Sequence, residues 1–169
     1  MIPVKDGAAT LPRVADALAK QRGDFEVELV AVDSGSRDGS VELLRAAGFD
    51  EDEIAPAAFD HGATRNRGIG ASRGDVVVLL TQDAVPLGER FLESIAAPFA
   101  DPRVAGVYGR QVPRADCDVV TLGQLEGWLT GRAEPAVAQL GARPLEALAP
   151  AERHALCVFD NVCSAVRRS

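Results

Sequence analysis

The chain has 169 residues, of which 47% are hydrophobic, and it carries a formal net charge of −7 at pH 7. This length suits one domain with a sizeable core, and the acidic balance argues against a nucleic-acid binder, which needs a basic face. No apolar run approaches the roughly 20 residues of a membrane-spanning helix, and no basic region followed by an apolar stretch marks a signal peptide. We therefore expect a cytoplasmic protein.

Strand and helix patterns alternate along the first hundred residues. The predicted elements are, in order, a strand tail at 2–4, a helix at 11–20 capped by Thr10, a strand at 27–32, helices at 40–47 and 64–72, a strand at 76–80, a helix at 89–97, a strand at 104–112, a helix at 119–129 and a return to the sheet within 156–166. The acidic stretch 49–56 predicts an exposed connection, and 54–59 allows a short strand. This alternation predicts an α/β fold with a mostly parallel central sheet and helices on both faces.

An aspartate closes the second predicted strand. Asp33 precedes Ser34, Gly35 and Ser36 in a turn-rich loop. A carboxylate at the carboxyl end of a core strand lies where α/β proteins bind ligands, and it can accept hydrogen bonds from a base or a ribose hydroxyl. Asp33 and Ser36 can equally cap the next helix, as Asp and Ser often do. The sequence leaves both interpretations open.

A second aspartate follows the strand at 76–80, in the segment Thr81-Gln82-Asp83. A hard divalent cation that bridges two phosphates needs only one or two protein carboxylates, and Asp83 can supply one. The alternative is an ordinary strand-ending Asp in a turn before Pro86.

The segment His61–Asn66 has features that suit a phosphate. Gly62 lets the backbone approach a ligand closely, and a helix beginning near Thr64 would offer free N–H groups. Arg65 adds a guanidinium whose geometry matches phosphate. The alternative is a surface helix with solvated arginines and a structural histidine.

Several familiar signatures are missing from the sequence. Gly68, Gly70 and Gly74 lie within a predicted helix before a strand, so they do not form a dinucleotide fingerprint, which opens a helix after a strand. Neither a P-loop nor a G-x-S-x-G elbow occurs. Three cysteines without a C-x-x-C pair, and two histidines, make a structural zinc site unexpected.

Four segments taken together resemble the family-2 glycosyltransferases, and above all a rhamnosyltransferase-like branch. They are Ile2–Asp6, Val32–Ser40, His61–Asn66 and Leu80–Pro86, in the family's order and spacing. The resemblance implies one GT-A domain over 1–169, with a nucleotide-sugar-binding part at 1–112 and the start of an acceptor-side part at 113–169. It implies inverting, metal-assisted transfer from a dTDP- or UDP-sugar to a saccharide or lipid-linked acceptor in cell-surface polysaccharide synthesis.

The resemblance also implies roles for individual residues. Asp33 would bind the nucleotide base, and Asp83, in the place of the last Asp of a D-x-D motif, would hold Mg²⁺ or Mn²⁺ on the diphosphate. Because Thr81 replaces the first acid of that motif, Asp83 is the one clear metal ligand. The remaining substrate-binding residues implied are Pro3, Ser34, His61, Arg65, Asn66 and Gln82, with Arg65 beside the diphosphate.

The family keeps its general base in a Glu-Asp motif that follows an Arg-Arg segment, which corresponds here to Arg167-Arg168. Phe159–Arg168 resembles the acceptor-side strand. Within it Asp160 is the nearest acidic substitute for the base, but a role in ordering its own loop is the simpler interpretation. We therefore expect the base beyond residue 169 and assign no catalytic residue. Apolar residues of the family's first strand are also missing before Ile2, so the resemblance implies a chain truncated at both ends.

Two other functions stay open at this point. One is a remnant that binds a nucleotide-sugar without catalysis. The other is a nucleotidyltransferase, for which Lys5-Asp6-Gly7 is a thin signature. The expected location includes the inner face of the membrane, with peripheral association.

Overall fold

Six strands form two three-stranded sheets in this computed structural model, which describes residues 1–115, 117–141 and 143–168. The strands are β1 (Ile2–Val4), β2 (Val30–Asp33), β3 (Asp50–Glu53), β4 (Val76–Leu80), β5 (Gly106–Tyr108) and β6 (Cys163–Arg167). In the first sheet β1, β2 and β3 pair in parallel in that order. In the second, β6 lies between β4 and β5 and is antiparallel to both.

Met1 joins the two sheets edge to edge. Its backbone nitrogen donates to the Val78 carbonyl at 2.8 Å, and its carbonyl accepts from the Leu80 N–H at 3.1 Å. This pair of bonds is the pattern of a parallel bridge between β1 and β4. The strand order across both sheets is therefore β3-β2-β1-β4-β6-β5, and the carboxyl ends of β1, β2 and β4 meet along one edge.

Six helices accompany the strands in the described part of the chain. They are α1 (Leu11–Ala19), α2 (Ser40–Ala46), α3 (His61–Ala71), α4 (Phe91–Ala96), α5 (Val119–Gly127) and α6 (Pro150–Cys157). Short 3₁₀ turns lie at 56–58, 97–100, 129–131 and 145–147. The Thr10 side chain does not cap α1, as the sequence suggested, because its hydroxyl donates back to the Gly7 carbonyl at 3.2 Å.

The apolar core explains why these segments take up their structures. Helix α1 buries Leu11, Val14 and Leu18, whose helical spacing places them on one face. They pack with the alternate residues Ile2 and Val4 of β1 in one cluster. Burial of each such side chain contributes about 1.5–3 kcal/mol. The cluster therefore contributes much of the stability that holds α1 against β1.

Helix α3 packs on the other face of β1. Strand geometry points Met1 away from Ile2, and the Met1 side chain lies against Gly68 of α3. A Cβ atom at Gly68 would come within 2.3 Å of the Met1 Cε atom, so this glycine makes room for the close approach of helix and strand.

The acidic segment that the sequence suggested to be an exposed connection is strand β3, and the strand allowed at 54–59 is instead a 3₁₀ turn. The sequence pattern failed because β3 is an edge strand with no apolar alternation. It forms through backbone pairing with β2, and arginines from other elements offset its charge: Arg45 pairs with Glu51 and Arg67 with Asp52.

The chain divides into two compact units. The first comprises Met1–Tyr108 and Asn161–Ser169, and the second comprises Gly109–Asp160. All six strands belong to the first unit, and α5 and α6 belong to the second. Within the described residues, no helix has both the length and the apolar character that crossing a bilayer requires.

Gly35 is the position where the turn after β2 is most sensitive to substitution. Its φ is +79°, and a Cβ atom there would lie 2.9 Å from Pro56 Cγ. We expect Gly35→Ala to lower the free energy of unfolding by roughly 1–3 kcal/mol through backbone strain and this clash. Thermal denaturation measures the effect.

Gly70→Ala is the matched control. Gly70 is exposed within α3, and a Cβ atom there meets nothing within 4 Å. We expect this change to leave stability unchanged or raise it by up to about 1 kcal/mol, because Ala is the better helix former. Equal melting temperatures for the two variants would contradict the strain assigned to Gly35.

Candidate functional site

Asp33 organises the turn at the carboxyl end of β2. The residue is fully buried. Its Oδ2 accepts from the backbone N–H groups of Gly35 and Ser36, both at 2.8 Å, and its Oδ1 accepts from the Ser36 hydroxyl at 2.5 Å. The interpretation of Asp33 as a cap of α2 is wrong, because the residue before that helix is Gly39 with no side-chain cap. Asp33 instead builds a rigid turn at the sheet edge.

This turn is fastened to the loop after β1. The Asp6 N–H donates to Ser36 Oγ at 2.8 Å, and the Arg37 N–H donates to Asp6 Oδ1 at 2.8 Å. The Lys5 ammonium donates to the carbonyls of Ser34 and Gly35 at 3.3 and 2.5 Å. The loops after β1 and β2 therefore form a single hydrogen-bonded cradle beside Asp33.

A second pair of bonds continues the cradle towards α2. The Ala8 N–H donates to Asp38 Oδ2, and the Gly7 N–H donates to Ser40 Oγ, both at 2.8 Å. The hydrogen bond from the Ser40 hydroxyl, with help from the Ala8 N–H, holds the pKa of Asp38 below its ordinary value. The ionised form of Asp38 is the form that this arrangement favours.

Pro3 and Ser34 lie in the strands and turn beneath the cradle. Pro3 is half-buried in β1, opposite Val32. Ser34 is buried, and both its N–H and its hydroxyl donate to the Val4 carbonyl, at 2.9 and 3.0 Å. These contacts fasten β1 to the start of the turn.

The two residues Gln82 and Asp83, which follow β4, differ in how their side chains are held. Gln82 is half-buried, and its side-chain amide bonds to both backbone groups of Lys5: Oε1 accepts from the N–H at 2.8 Å and Nε2 donates to the carbonyl at 3.0 Å. Asp83 is exposed, and its carboxylate has no hydrogen-bond or ion-pair partner among the described residues. The Asp83 carboxylate is therefore available to a ligand, and it lies next to a residue whose side chain is fixed.

Asp60 occupies the amino end of α3. The helix begins at His61, three residues earlier than the sequence suggested, and the Asp60 carboxylate accepts from the N–H groups of Gly62 and Ala63 at 3.0 and 2.8 Å. The Thr64 N–H donates to the Asp60 carbonyl at 2.8 Å. The N–H groups of Gly62, Ala63 and Thr64, which the sequence suggested to be free for a phosphate, are therefore occupied by Asp60.

Arg65 is a buried cation with unused hydrogen-bonding capacity. It is only 9% exposed, it donates to the His61 carbonyl at 3.0 Å and to the Asn161 carbonyl at 3.4 Å, and its buried Nε has no partner. No carboxylate among the described residues pairs with it, and burial alone lowers the pKa of its guanidinium. A guanidinium in this state is stabilised by any anion that reaches it.

His61 and Asn66 occupy different surroundings from Arg65. The exposed His61 ring packs edge-on against Phe59, with ring centroids 4.9 Å apart. Asn66 is exposed and lines a shallow cavity with Arg167 and Arg168 at the other end of β6. The backbone carbonyl of His61 accepts from the Arg65 guanidinium, whereas the described contacts of the His61 and Asn66 side chains lie elsewhere.

Hydrogen bonds connect the segments on which Asp33, Asp83 and Arg65 lie. Lys5 contacts both the turn of Asp33 and Gln82, the neighbour of Asp83. On the other side, the segment that accepts a bond from Arg65 continues into Val162, whose carbonyl accepts from the Thr81 N–H at 3.0 Å. The first unit therefore holds a buried carboxylate turn, an exposed carboxylate and a buried guanidinium in one bonded framework.

Asp83 can bind a divalent cation only if other ligands of the metal come from outside the protein. No group of three or more His, Cys, Asp or Glu side chains within the described ranges could form a metal cage. A single exposed carboxylate suits a cation that takes its other ligands from phosphate oxygens and water, as Mg²⁺ commonly does. The donor set therefore fits a metal that arrives with a diphosphate.

Asp160 belongs to the second unit and orders its local structure. Its Oδ2 accepts from the Trp128 indole N–H at 3.0 Å and from the Gln111 side-chain amide at 2.9 Å. The Gln111 N–H also donates to the Thr130 carbonyl at 2.8 Å. These bonds agree with the loop-ordering role expected for Asp160.

The sequence model of glycosyl transferase family 2 matches residues 1–135. The chain belongs to this family. Two curated relatives align with this chain: the O-antigen chain rhamnosyltransferase RfbN of Salmonella typhimurium is 33% identical over 120 residues, and the O-antigen chain rhamnosyltransferase WbaN of Salmonella anatum is 36% identical over 96. These alignments cover 70% and 56% of this chain but only 38% and 30% of the relatives, so the chain spans well under half of their length.

Solved structures of other glycosyltransferases have the same fold as this chain. A mannosyltransferase from Pyrobaculum calidifontis, in complex with GDP-Man and Mn²⁺, has a TM-score of 0.63 at 18% identity and matches 99% of this chain and 43% of its own. Glucosyl-3-phosphoglycerate synthase from Mycobacterium tuberculosis, in complex with UDP, has a TM-score of 0.63 at 20% identity and matches 99% and 55%. The expected GT-A fold is thereby confirmed.

The cap of α3 generates a prediction about pH. Hydrogen bonds from the Ala63 and Gly62 N–H groups hold the pKa of Asp60 below its ordinary value of 3.8. Since the folded pKa is the lower one, this contribution to stability is present at neutral pH and is lost as pH falls through the folded pKa. We expect Asp60→Ala to melt below the wild type at pH 7, with the difference narrowing in acid.

Asp60→Asn separates the charge from the cap. Asparagine keeps an acceptor oxygen for the helix N–H groups but cannot titrate. Its melting temperature at pH 7 should lie closer to the wild type than that of Asp60→Ala, with a weaker dependence on acid. Parallel curves for the wild type and Asp60→Ala down to pH 2 would refute the assignment.

Proposed function

We propose that this chain is the donor-binding part of an inverting, metal-assisted glycosyltransferase that acts on a nucleotide-sugar. Family membership supports the reaction class, and the curated relatives are named as O-antigen chain rhamnosyltransferases. The observation that carries the proposal is the bonded framework that holds the Asp33 turn, Asp83 and Arg65 at one edge of the sheet. A nucleotide-sugar offers a base for the Asp33 turn and a diphosphate that, with a metal ion, would complement Asp83 and Arg65.

The nucleoside end of the donor would lie at the Asp33 cradle. The carboxylate of Asp33 accepts three hydrogen bonds from the turn and so positions the loop. We propose that it also accepts a further hydrogen bond from a base or ribose N–H or O–H group. Pro3 and Ser34 lie beside this turn and would contribute backbone shape. We propose a dTDP- or UDP-sugar as the donor.

The diphosphate would lie between Asp83 and Arg65. Asp83 would hold Mg²⁺ or Mn²⁺, which offsets negative charge on the diphosphate when bound. Arg65 would donate its unused N–H to a phosphate oxygen, and its buried, unpaired charge would stabilise the charge that develops on the leaving group. His61, Asn66 and Gln82 stay secondary candidates, since their observed contacts lie elsewhere or are already satisfied.

The acceptor would be a saccharide or a lipid-linked saccharide. Inverting transfer forms a bond from the acceptor oxygen to the anomeric carbon, breaks the bond from that carbon to the diphosphate, and passes the acceptor proton to a general base. We assign no base among the described residues, and Asp160 is retained as a residue that orders its loop. Synthesis of a cell-surface polysaccharide is the process we infer.

Calorimetry of nucleotide binding tests the donor site. We expect UDP or dTDP to bind the wild type more tightly with Mn²⁺ than without it. Asp83→Asn should abolish that gain. Arg65→Met should weaken binding by about 10–100-fold, since a charged hydrogen bond contributes about 1.5–3 kcal/mol.

Matched controls come from surface ion pairs of the same unit. Asp16 pairs with Lys20, and Arg103 pairs with Asp101, all on exposed surface. Asp16→Asn and Arg103→Met change charge equally but should leave nucleotide affinity unchanged. If the wild type shows no Mn²⁺-dependent binding, or the site variants bind as well as these controls, the donor site is wrongly assigned.

Turnover distinguishes the remaining alternatives. Release of nucleoside diphosphate in the presence of donor and saccharide acceptor would identify a transferase, whereas binding without release would leave a nucleotide-sugar-binding module. Pyrophosphate formation from a nucleoside triphosphate and a sugar phosphate would instead identify a nucleotidyltransferase.

A further inference from the structure

We propose that Gln82 is a positioning residue, through which the nucleoside cradle fixes the metal-binding carboxylate of Asp83. This inference rests on the proposed function, and it gives Gln82 a different role from direct contact with substrate. The side chain of Gln82 is already bonded to protein at both ends of its amide. It therefore has little capacity left for a ligand.

The contact between Gln82 and Lys5 has the pattern of a strand pair. The amide oxygen accepts from the Lys5 N–H at 2.8 Å, and the amide nitrogen donates to the Lys5 carbonyl at 3.0 Å. Lys5 follows β1 directly, and Gln82 lies two residues beyond the end of β4. The side chain thus extends the pairing of β1 and β4 past the point where their backbones separate, just before Asp83.

Gly7 makes this contact possible. A Cβ atom at Gly7 would lie 3.0 Å from Gln82 Oε1 and 3.1 Å from its Cδ. The absence of a side chain at Gly7 leaves the space that the amide occupies. The two hydrogen bonds to Lys5 then hold the amide in a defined direction.

Lys5 carries the connection onward to the Asp33 turn. Its ammonium donates to the Gly35 carbonyl at 2.5 Å, within the turn that Asp33 holds together. Asp33, Gly35, Lys5 and Gln82 therefore form a continuous path of hydrogen bonds that ends next to Asp83. A ligand that orders one end of this path would favour the bound geometry at the other.

A metal carboxylate benefits from such support because affinity depends on its orientation. Asp83 is exposed and its carboxylate has no partner among the described residues, so its position depends on the backbone on either side: the Ala84 N–H donates to the Thr81 carbonyl at 3.1 Å, and the Gln82 side chain bonds to Lys5. Loss of outer contacts that orient a metal ligand typically weakens metal affinity by about 10–100-fold. We expect the lower part of that range, because Asp83 itself remains.

Gln82→Met tests the inference, since methionine keeps the volume beside Gly7 and removes both hydrogen bonds. We expect the dissociation constant of UDP or dTDP with Mn²⁺ to rise by about tenfold. Binding of the same nucleotides without Mn²⁺ should change by less than about twofold. A merely structural role would instead lower both affinities together or neither.

Gln21→Met is the matched control within the same unit. Gln21 also bonds backbone from both ends of its amide, donating to the Ala17 and Gly88 carbonyls and accepting from the Leu92 N–H. The change should lower the melting temperature to a similar extent. It should leave the ratio of affinities with and without Mn²⁺ at the wild-type value.

The outcomes separate the two proposals. If the wild type lacks Mn²⁺-dependent binding, both the donor site and this role of Gln82 fail. If the wild type shows it, and Gln82→Met keeps the wild-type ratio or matches Gln21→Met, only the role of Gln82 is overturned. A selective loss in Gln82→Met, with Asp83→Asn losing the Mn²⁺ effect entirely, supports it.

Discussion

The buried carboxylate of Asp33 is the constraint on which the rest of the site depends. A carboxylate with no exposure must be satisfied by hydrogen bonds, and here three donors from two residues do so: the Gly35 N–H, the Ser36 N–H and the Ser36 hydroxyl. That requirement bends the chain sharply at the end of β2. The bent loop offers the carbonyls and the hydroxyl to which Lys5 and Asp6 bind, so one desolvated group sets the geometry of two loops.

The site divides its charged residues into those used by the protein and those left over. Asp33, Asp38 and Asp60 are occupied by local N–H and hydroxyl donors. Asp83 and Arg65 keep unused capacity, one on the surface and one in the interior. Opposite charges left without partners in one framework are what a metal-bound diphosphate would complement, because it presents a cation to the first and oxygens to the second.

The sequence predicted the features that depend on local pattern. Apolar spacing located α1 because the helix buries one face, and the continuous apolar run 76–80 located β4, whose residues are buried or half-buried on both faces. The sequence did not predict strand β3, because its side chains show no strand pattern and the strand forms through backbone pairing with β2. The cap by Asp60 was visible as an Asp before a helix, yet the weak pattern of α3 hid where the helix begins. The contact of Gln82 with Lys5 joins positions 77 residues apart, and no local signal reports it.

The run of four acids in β3 has one more consequence. Strand β3 forms the end of its sheet, so one row of its backbone N–H and carbonyl groups faces outward. Such an edge is a template on which a strand from another molecule can add and begin aggregation. Asp and Glu at every position make both faces of this edge charged, and an added strand would have to desolvate these carboxylates and the ion pairs that Arg45 and Arg67 make with them. The segment that carries no apolar pattern thereby protects the folded chain from self-association through its exposed edge.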